Sequence, residues 1–585
     1  MGLVIVQWSY TQNYKKLLYL LAEVCYLFRS KCDVLSTNNP ILPWRMIAVA
    51  LITITFLLDF GVAELPPNYT FVHEATDAPR ISFYDYIVIG GGTTGIPLAA
   101  TLSANATVLL LERGGSPYTN INVTQEANFG TYFFDTSPDS PSQRFVVEGV
   151  INARPRVLGG GTAINAGFYS RGEEQFHIEA GLTDADLIEE SYQFAESVMV
   201  FRPVLGGWQT ALRASLLEAG VTPDNGYTFQ HLVGTKTGGI IFDPNGTRHT
   251  AADLLQYANP EGLSVLLHAS VHKVLFKTKA GESTPVAFGV AFEDSFGNMH
   301  RAFLKGGEKD EIIVSAGALG SPQLLMLSGI GPREQLEALK IKVVLDQPLV
   351  GKNMSDNPLN GFFVPALVDV EASLVQNVGI TDFGSYIEES GGINLLLANS
   401  STYLGYDYKR GGFIYEKTNG PVSVGELKIE NRDPADNPNV TFNYFSAPED
   451  IEKCVNGLQI ILRAIQTEAF ANYKYPNMTT QDILDLNAKL PYNQNPNNRT
   501  FSSFEQYCKD SVTTIWHYHG GCQVGKVVDY EHKVIGVDGL RVMDGSTFLN
   551  SPGTNPQASL MMLGRYMGVT MLAQRFAVEK AYADI

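Results

Sequence analysis

Residues 84–104 read YDYIVIGGGTTGIPLAATLSA. The apolar, β-rich run Tyr84–Ile89 predicts a strand, Gly90–Gly95 a glycine turn, and IPLAATLSA a helix. In that order the parts have separate duties. Gly90 permits the tight turn, Gly92 lets the backbone approach a pyrophosphate, Gly95 lets helix and strand pack, and the free amides at the helix start face the anion. Thr93 and Thr94 lie in the same turn. A second predicted strand, Thr107–Leu111, ends at Glu112, 22 residues after Gly90. A carboxylate there accepts hydrogen bonds from both ribose hydroxyls and repels a 2'-phosphate, which disfavours NADP and leaves FAD or NAD. Arg113 follows it directly.

Outward from this motif, 585 residues exceed what one core usually organises, and 45% hydrophobic content can fill two, so two domains are expected. The formal net charge of −18 repels polyphosphate, and nucleic acid is not an expected partner. The 55 glycines follow no fixed period, so they mark turns and close backbone approaches and not a repeat protein.

Four further segments decide the reading: Arg156–Tyr169 (RVLGGGTAINAGFY), Gly317–Gly331 (GALGSPQLLMLSGIG), Thr513–Gly525 (TTIWHYHGGCQVG) and Val542–Gln557 (VMDGSTFLNSPGTNPQ). The first two match the signatures of the glucose-methanol-choline (GMC) oxidoreductases, and the chain resembles that family from about residue 80 to 575. VGKNMSDNP at 350–358 resembles its link between domains, with Asn357 where many members carry His. Pro155 stands where the family usually has a small residue. Gly317–Gly331 itself reads as a helix with Pro322 in its first turn and Gly329 at its stop.

The resemblance implies FAD as cofactor. It implies contacts from Val157, Gly161, Asn165, Ala166, Gly167, Phe168, Val271 and Trp516, in addition to the dinucleotide motif. Asp544 and Gly545 match positions at the phosphate and ribityl chain, and Asn555, Pro556 and Gln557 match the pyrimidine end. His517, five residues before Cys522, matches the histidine at the reactive edge of the flavin, and Asn555 matches its partner. The chemistry agrees. Oxidising an alcohol requires a base of near-neutral pKa within reach of the hydroxyl as hydride leaves carbon, and imidazole fits. An amide beside it holds the oxygen without competing for the proton. His517 is therefore expected as base, Asn555 as orienter and a small-molecule alcohol as substrate. His517, His519 and Cys522 lack a convincing fourth ligand, so no metal is expected. His519 reads as a core histidine and Trp516 as a packing residue. No GxSxG elbow suggests a hydrolase.

The implied fold is α/β. A Rossmann-type FAD-binding domain with a parallel sheet comes from 80–170, 231–356 and 513–585. A substrate domain of antiparallel sheet backed by helices comes from 171–230 and 357–512, with 411–430 and VTFNYF at 440–445 as strands of that sheet. Polar, Asn/Pro-rich Thr479–Arg499 is expected as a surface loop. Within the family, SVTTIWHYHGGCQVGKVVD and SPGTNPQASLMMLGRYMG most resemble the plant HOTHEAD-like branch, which implies oxidation of long-chain hydroxy fatty acids. The sister branch of mandelonitrile lyases leaves a second reading open, FAD-dependent cleavage of cyanohydrins. There the partner position is His, and an amide such as Asn555 cannot lend a proton.

Residues 1–63 read as an extension and a signal peptide starting at Met46: Arg45, a 13-residue apolar run, then Gly61–Ala63 as cleavage site. That run is short of the roughly 20 residues a membrane span needs. Nine Asn-X-Ser/Thr sequons, from Asn68 to Asn498, also favour export, although Asn105 and Asn353 adjoin cofactor motifs. Beyond the extension stand Cys454, Cys508 and Cys522; with Cys522 in a family motif, the expected disulfide is Cys454–Cys508.

Overall fold

A computed structural model describes residues 67–583, apart from 134, 279–282, 393–401, 404–405, 408–409, 492–493 and 496–499. The expected extension and signal peptide, and the sequons at Asn399 and Asn498, lie outside the described residues.

Tyr86–Ile89, Val108–Leu111 and Glu311–Val314 are short apolar runs because they are interior strands of a six-stranded parallel sheet, covered on both faces. The order across it is Val72–Glu74, Leu263–Leu267, Val108–Leu111, Tyr86–Ile89, Glu311–Val314, Leu540–Val542. Strands far apart in sequence thus end beside Gly90: Val314 pairs with Ile89, and Val542 with Val314. Helix Gly95–Leu102 packs between this sheet and helix Gln557–Ala583.

A second, seven-stranded sheet runs Thr513–Thr514, Pro358–Pro365, Gly411–Thr418, Ser385–Gly391, Asn377–Ile380, Gly234–Thr237, Asp224–Tyr227. Its pairings are antiparallel except the last. Helices Gly207–Glu218, Pro448–Ile465 and Phe504–Asp510 back it, and a Cys454–Cys508 disulfide joins the last two. Cys522 is free and buried. The α/β class, the parallel sheet and the helix-backed antiparallel sheet agree with the expectation.

Three local expectations are corrected. Thr479–Arg499 is not all loop: Thr480–Asn487 is a helix. Thr479 and Asp482 form a capping box, and Ile483, Leu484 and Leu486 are buried. VTFNYF is not a strand of the large sheet. Only Asn439–Val440 is extended, in a three-stranded sheet with Lys352–Met354 and Gly425–Lys428. The chain then turns through positive φ at Asn443 and Phe445, and Glu148 Oε2 accepts from the Phe442 and Asn443 amides. Pro322 lies inside helix Gly317–Leu327 and not in its first turn, because the helix begins directly at Gly317. Gly329, φ +91°, does follow its end.

Among the described residues no helix is long and apolar enough to cross a membrane.

Candidate cofactor and active site

The glycine turn opens where the parallel strands end. Gly90 adopts φ +108°, and a Cβ there would meet Ser315 O at 2.2 Å, so only glycine fits. Gly95 is closed by proximity: its Cβ would stand 2.1 Å from Gly90 O. Gly92 differs, because the nearest atom to its Cβ would be 3.9 Å away, an ordinary contact, and it borders unfilled space.

That space is a cavity lined by Gly90, Gly92, Thr93, Thr94, Glu112, Arg113, Val157, Gly161, Asn165, Ala166, Gly167, Phe168, Val271, Trp516, His517, Asp544, Gly545, Asn555, Pro556 and Gln557. Of the residues expected at the site, Gly95 alone is not at the wall; it supports the turn from behind. Segments separated by more than 400 residues therefore meet around one volume.

Backbone groups dominate one end. Glu112 Oε2 accepts from Gly91 N at 2.9 Å and Oε1 from Gly114 N at 2.8 Å. Burial raises its carboxyl above the usual range, while these amides pull the other way. Gly159 N donates to Gly91 O at 2.7 Å, tying the two glycine loops together. Asp544 accepts from Gly317 N (2.9 Å), Ser546 N (2.8 Å) and the Ser321 hydroxyl, so it clamps the start of helix Gly317–Leu327. Asn165 Nδ2 donates to Gln557 Oε1 at 2.9 Å, and Asn165 Oδ1 accepts from Gly167 N and Arg248 Nη1, each at 3.0 Å.

At the other end stand His517 and Asn555. Trp516, φ +59°, makes the bend that presents His517, and its amide donates to Thr514 Oγ1 at 2.7 Å. Thr514 in turn donates to Asp356 Oδ2 at 2.6 Å, as does Tyr444 at 2.5 Å. Burial pushes the Asp356 carboxyl up to about 6 against those hydrogen bonds. The Trp516 indole stacks on Phe133 with centroids 4.8 Å apart and planes 3° off parallel. Burial first, then the Lys417 and His519 charges, holds His517 well below the usual histidine range. Its imidazole is thus neutral at neutral pH, and its proton affinity lies below the near-neutral value expected of it from the sequence. His519 is buried, with Nδ1 3.0 Å from the His517 carbonyl.

His517 Nδ1, Asn555 Oδ1 and Thr94 Oγ1 are buried without a hydrogen-bond partner among the described residues. Each such atom costs about 1–3 kcal/mol unless something completes it. All three belong to residues of the cavity wall.

Sequence reasoning missed Phe133, Arg154 and Glu388, which also line the cavity. Arg154 carried a readable signal, lying two residues before the signature that starts at Arg156; its guanidinium bonds Gln143, Gln323 and the Asp436 carbonyl. Glu388 carried none, since it arrives by strand pairing alone.

Family models described as GMC oxidoreductase match residues 84–359 and 421–564. The chain is 47% identical over 557 residues to Protein HOTHEAD of Arabidopsis thaliana, covering 87% of this chain and 93% of that protein. It is 47% identical to an (R)-mandelonitrile lyase-like protein of the same plant (87% and 94% covered), and 42% identical to Sinalpyl alcohol oxidase Nec3 of Nesocodon mauritianus (86% and 91% covered). Among solved structures, a formate oxidase of Aspergillus oryzae superposes with TM-score 0.69 at 18% identity, over 85% of this chain and 99% of that one, a likeness of fold. The matched segments include the glycine turn and the His517–Asn555 pair, and on this ground the chain belongs to the GMC oxidoreductase family.

Proposed function

We propose that this protein is an FAD-dependent oxidoreductase acting on the CH–OH group of alcohols. The observation that carries it is the joining, in one cavity, of a glycine-and-carboxylate cradle with the side chains of His517 and Asn555, each of which also has a buried polar atom without a partner among the described residues. The residues fit FAD: open space at Gly92, the unpartnered Thr94 hydroxyl, and a carboxylate, Glu112, at the end of the second strand. Gly90, Gly92, Thr93, Thr94, Glu112 and Arg113 would hold the adenosine and pyrophosphate. Val157, Gly161, Asn165–Phe168, Val271, Trp516, Asp544, Gly545 and Asn555–Gln557 would hold the rest.

When bound, FAD supplies a two-electron acceptor that takes hydride from the carbinol carbon. The remaining tasks fall to side chains. The neutral His517 imidazole takes the hydroxyl proton, and the Asn555 amide keeps the oxygen in line without exchanging protons. Trp516 and Phe133 wall the site with an aromatic pair. In this reading 80–170, 231–356 and 513–585 carry the cofactor, although Gly234–Thr237 and Thr513–Thr514 pair into the seven-stranded sheet, and 171–230 with 357–512 shapes the substrate space. Long-chain hydroxy fatty acids are the proposed substrates within the HOTHEAD-like branch, and one relative is named an alcohol oxidase.

A second reading, cyanohydrin cleavage, draws on the lyase-like relative and on the buried Lys417 cation near His517. Glu388 lies 3.0 Å from that cation and offsets the positive field a departing cyanide needs, and Asn555 lends no proton. Both features favour oxidation. Anaerobic mixing of the FAD-loaded protein with long-chain alcohols and hydroxy acids is expected to bleach the flavin. Release of cyanide from mandelonitrile, with no alcohol bleaching the flavin, would overturn the proposal.

We also propose export and glycosylation. Asn68, Asn105, Asn122, Asn245, Asn439 and Asn477 are exposed, and a disulfide suits an oxidising compartment. Asn353 instead donates to Gln523 Oε1 at 3.1 Å and is a poor acceptor site.

A further inference from the structure

Three carboxylates line the cavity: Glu112, Asp544 and Glu388. The first two are saturated by backbone amides at the cradle. Glu388 is different in origin and position. It sits on strand Ser385–Gly391, 1% exposed, and its Oε1 accepts from Lys417 Nζ at 3.0 Å. No hydrogen bond engages its Oε2 among the described residues.

Three observations locate it at the reactive end. Lys417, its partner, is close enough for its charge to act on His517. Lys417 Nζ also rests 3.7 Å from the Tyr386 ring centroid, and Tyr386 OH lies 3.0 Å from Thr554 Oγ1, next to Asn555. Finally, Tyr386 packs in one apolar cluster with Phe168 and Ala166, both cavity-lining.

Burying an ion pair is costly, and a well-packed apolar pair is often as stable, so stability alone is a weak reason for this one. What the pair does supply is an acceptor oxygen and a negative edge at the cavity wall, held in place by Lys417. Resting on the alcohol-oxidation reading, we propose that Glu388 is a specificity-determining residue: it selects neutral alcohols that carry a second hydrogen-bond donor close to the carbinol, and rejects those with a carboxylate in that place. Long-chain acids remain compatible, because their carboxylate is far from the reacting end.

The test is a matched trio built on whichever alcohol bleaches the flavin best: that alcohol, its analogue with a hydroxyl on the neighbouring carbon, and its analogue with a carboxylate there. In the wild-type holoenzyme the diol is expected to exceed the parent in kcat/KM by about tenfold, the usual scale of a charge-assisted hydrogen bond, and the 2-hydroxy acid to give no measurable turnover. In Glu388→Gln the diol advantage should shrink to within about threefold and the acid should become measurable. These ratios compare substrates on one protein, so a purely structural effect leaves them unmoved. Should the lone Lys417 charge prevent folding, Glu388→Gln/Lys417→Met removes both charges and must show the same change. Unaltered ratios in the variants, or a wild type that oxidises the acid as well as the diol, would sink the inference while leaving alcohol oxidation intact. A flavin that no alcohol bleaches sinks the parent reading instead.

Discussion

The two ends of the cavity are built by different means. The cradle around Gly90, Gly92 and Glu112 is made of backbone: turns, amide donors and a close approach that a Cβ would block. The reactive end is made of side chains, His517, Asn555, Trp516, Phe133 and Glu388, delivered by four separate segments. A backbone site tolerates little change of shape but is indifferent to much of the chemistry around it. A side-chain site can change chemistry by one substitution while the fold stays put. Binding and selectivity are thus separable in this protein.

Removing the base should give the largest effect. His517→Ala is expected to lower kcat by about 10²–10⁴-fold with the flavin absorbance of the purified protein retained, because the base is not part of the cradle. Loss of colour together with activity would erase the separation between the two ends.

The helix-backed antiparallel sheet has a covalent tie that the cradle, among the described residues, lacks. Cys454→Ala/Cys508→Ala frees helices Pro448–Ile465 and Phe504–Asp510, linked across 54 residues, and should cost about 2–4 kcal/mol in thermal unfolding. An unchanged melting temperature would mean that the sheet holds those helices unaided.

Within the cradle, two glycines separate packing from binding. Gly95→Ala drives a methyl into Gly90 O and should destabilise the apoprotein by about 1–3 kcal/mol. Gly92→Ala meets nothing nearer than 3.9 Å, so the apoprotein should melt close to wild type while FAD titration by flavin fluorescence shows weaker binding. Equal losses of stability in both variants would contradict the distinction.

The smallest expected effect is on pH dependence. kcat/KM requires neutral His517, whose pKa is held below the ordinary value by burial and by the Lys417 and His519 charges. The acid limb of the wild-type profile should therefore lie below the usual histidine range, with activity persisting into mildly acidic buffer. Without the Lys417 cation the imidazole binds its proton more readily. In Glu388→Gln/Lys417→Met the limb should move toward higher pH, and a limb that stays fixed would place Lys417 too far away to act on the base.

Much of the cradle was readable because it is local. Strand, glycine turn and helix are contiguous in 84–104, and Gly95 is closed by Gly90 O within that stretch, whereas the tightest neighbour of Gly90 is Ser315 at the end of the adjacent strand. The misread pieces failed for equally local reasons. The Asn/Pro content of 479–499 masks the Thr479–Asp482 capping box and the apolar positions after it, and Pro322 looks like a first-turn residue only if the helix start at Gly317 is not known. Alternation in VTFNYF was not enough to make a strand, since Asn443 and Phe445 take left-handed backbone. Glu388 could not be read at all, because only the pairing of Ser385–Gly391 with Gly411–Thr418 sets it beside Lys417.

From the chain alone came the dinucleotide turn, which rests on residue type at short spacing, and, through the family resemblance, His517 and Asn555 as the proposed base and orienter and the Cys454–Cys508 pairing. The convergence of those segments on one cavity, the low proton affinity of His517 and the presence of Glu388 at the cavity wall were decided by tertiary structure. Proton affinity and selectivity depend on burial and on charges a few ångströms away, and those neighbours are brought together by packing between strands far apart along the chain.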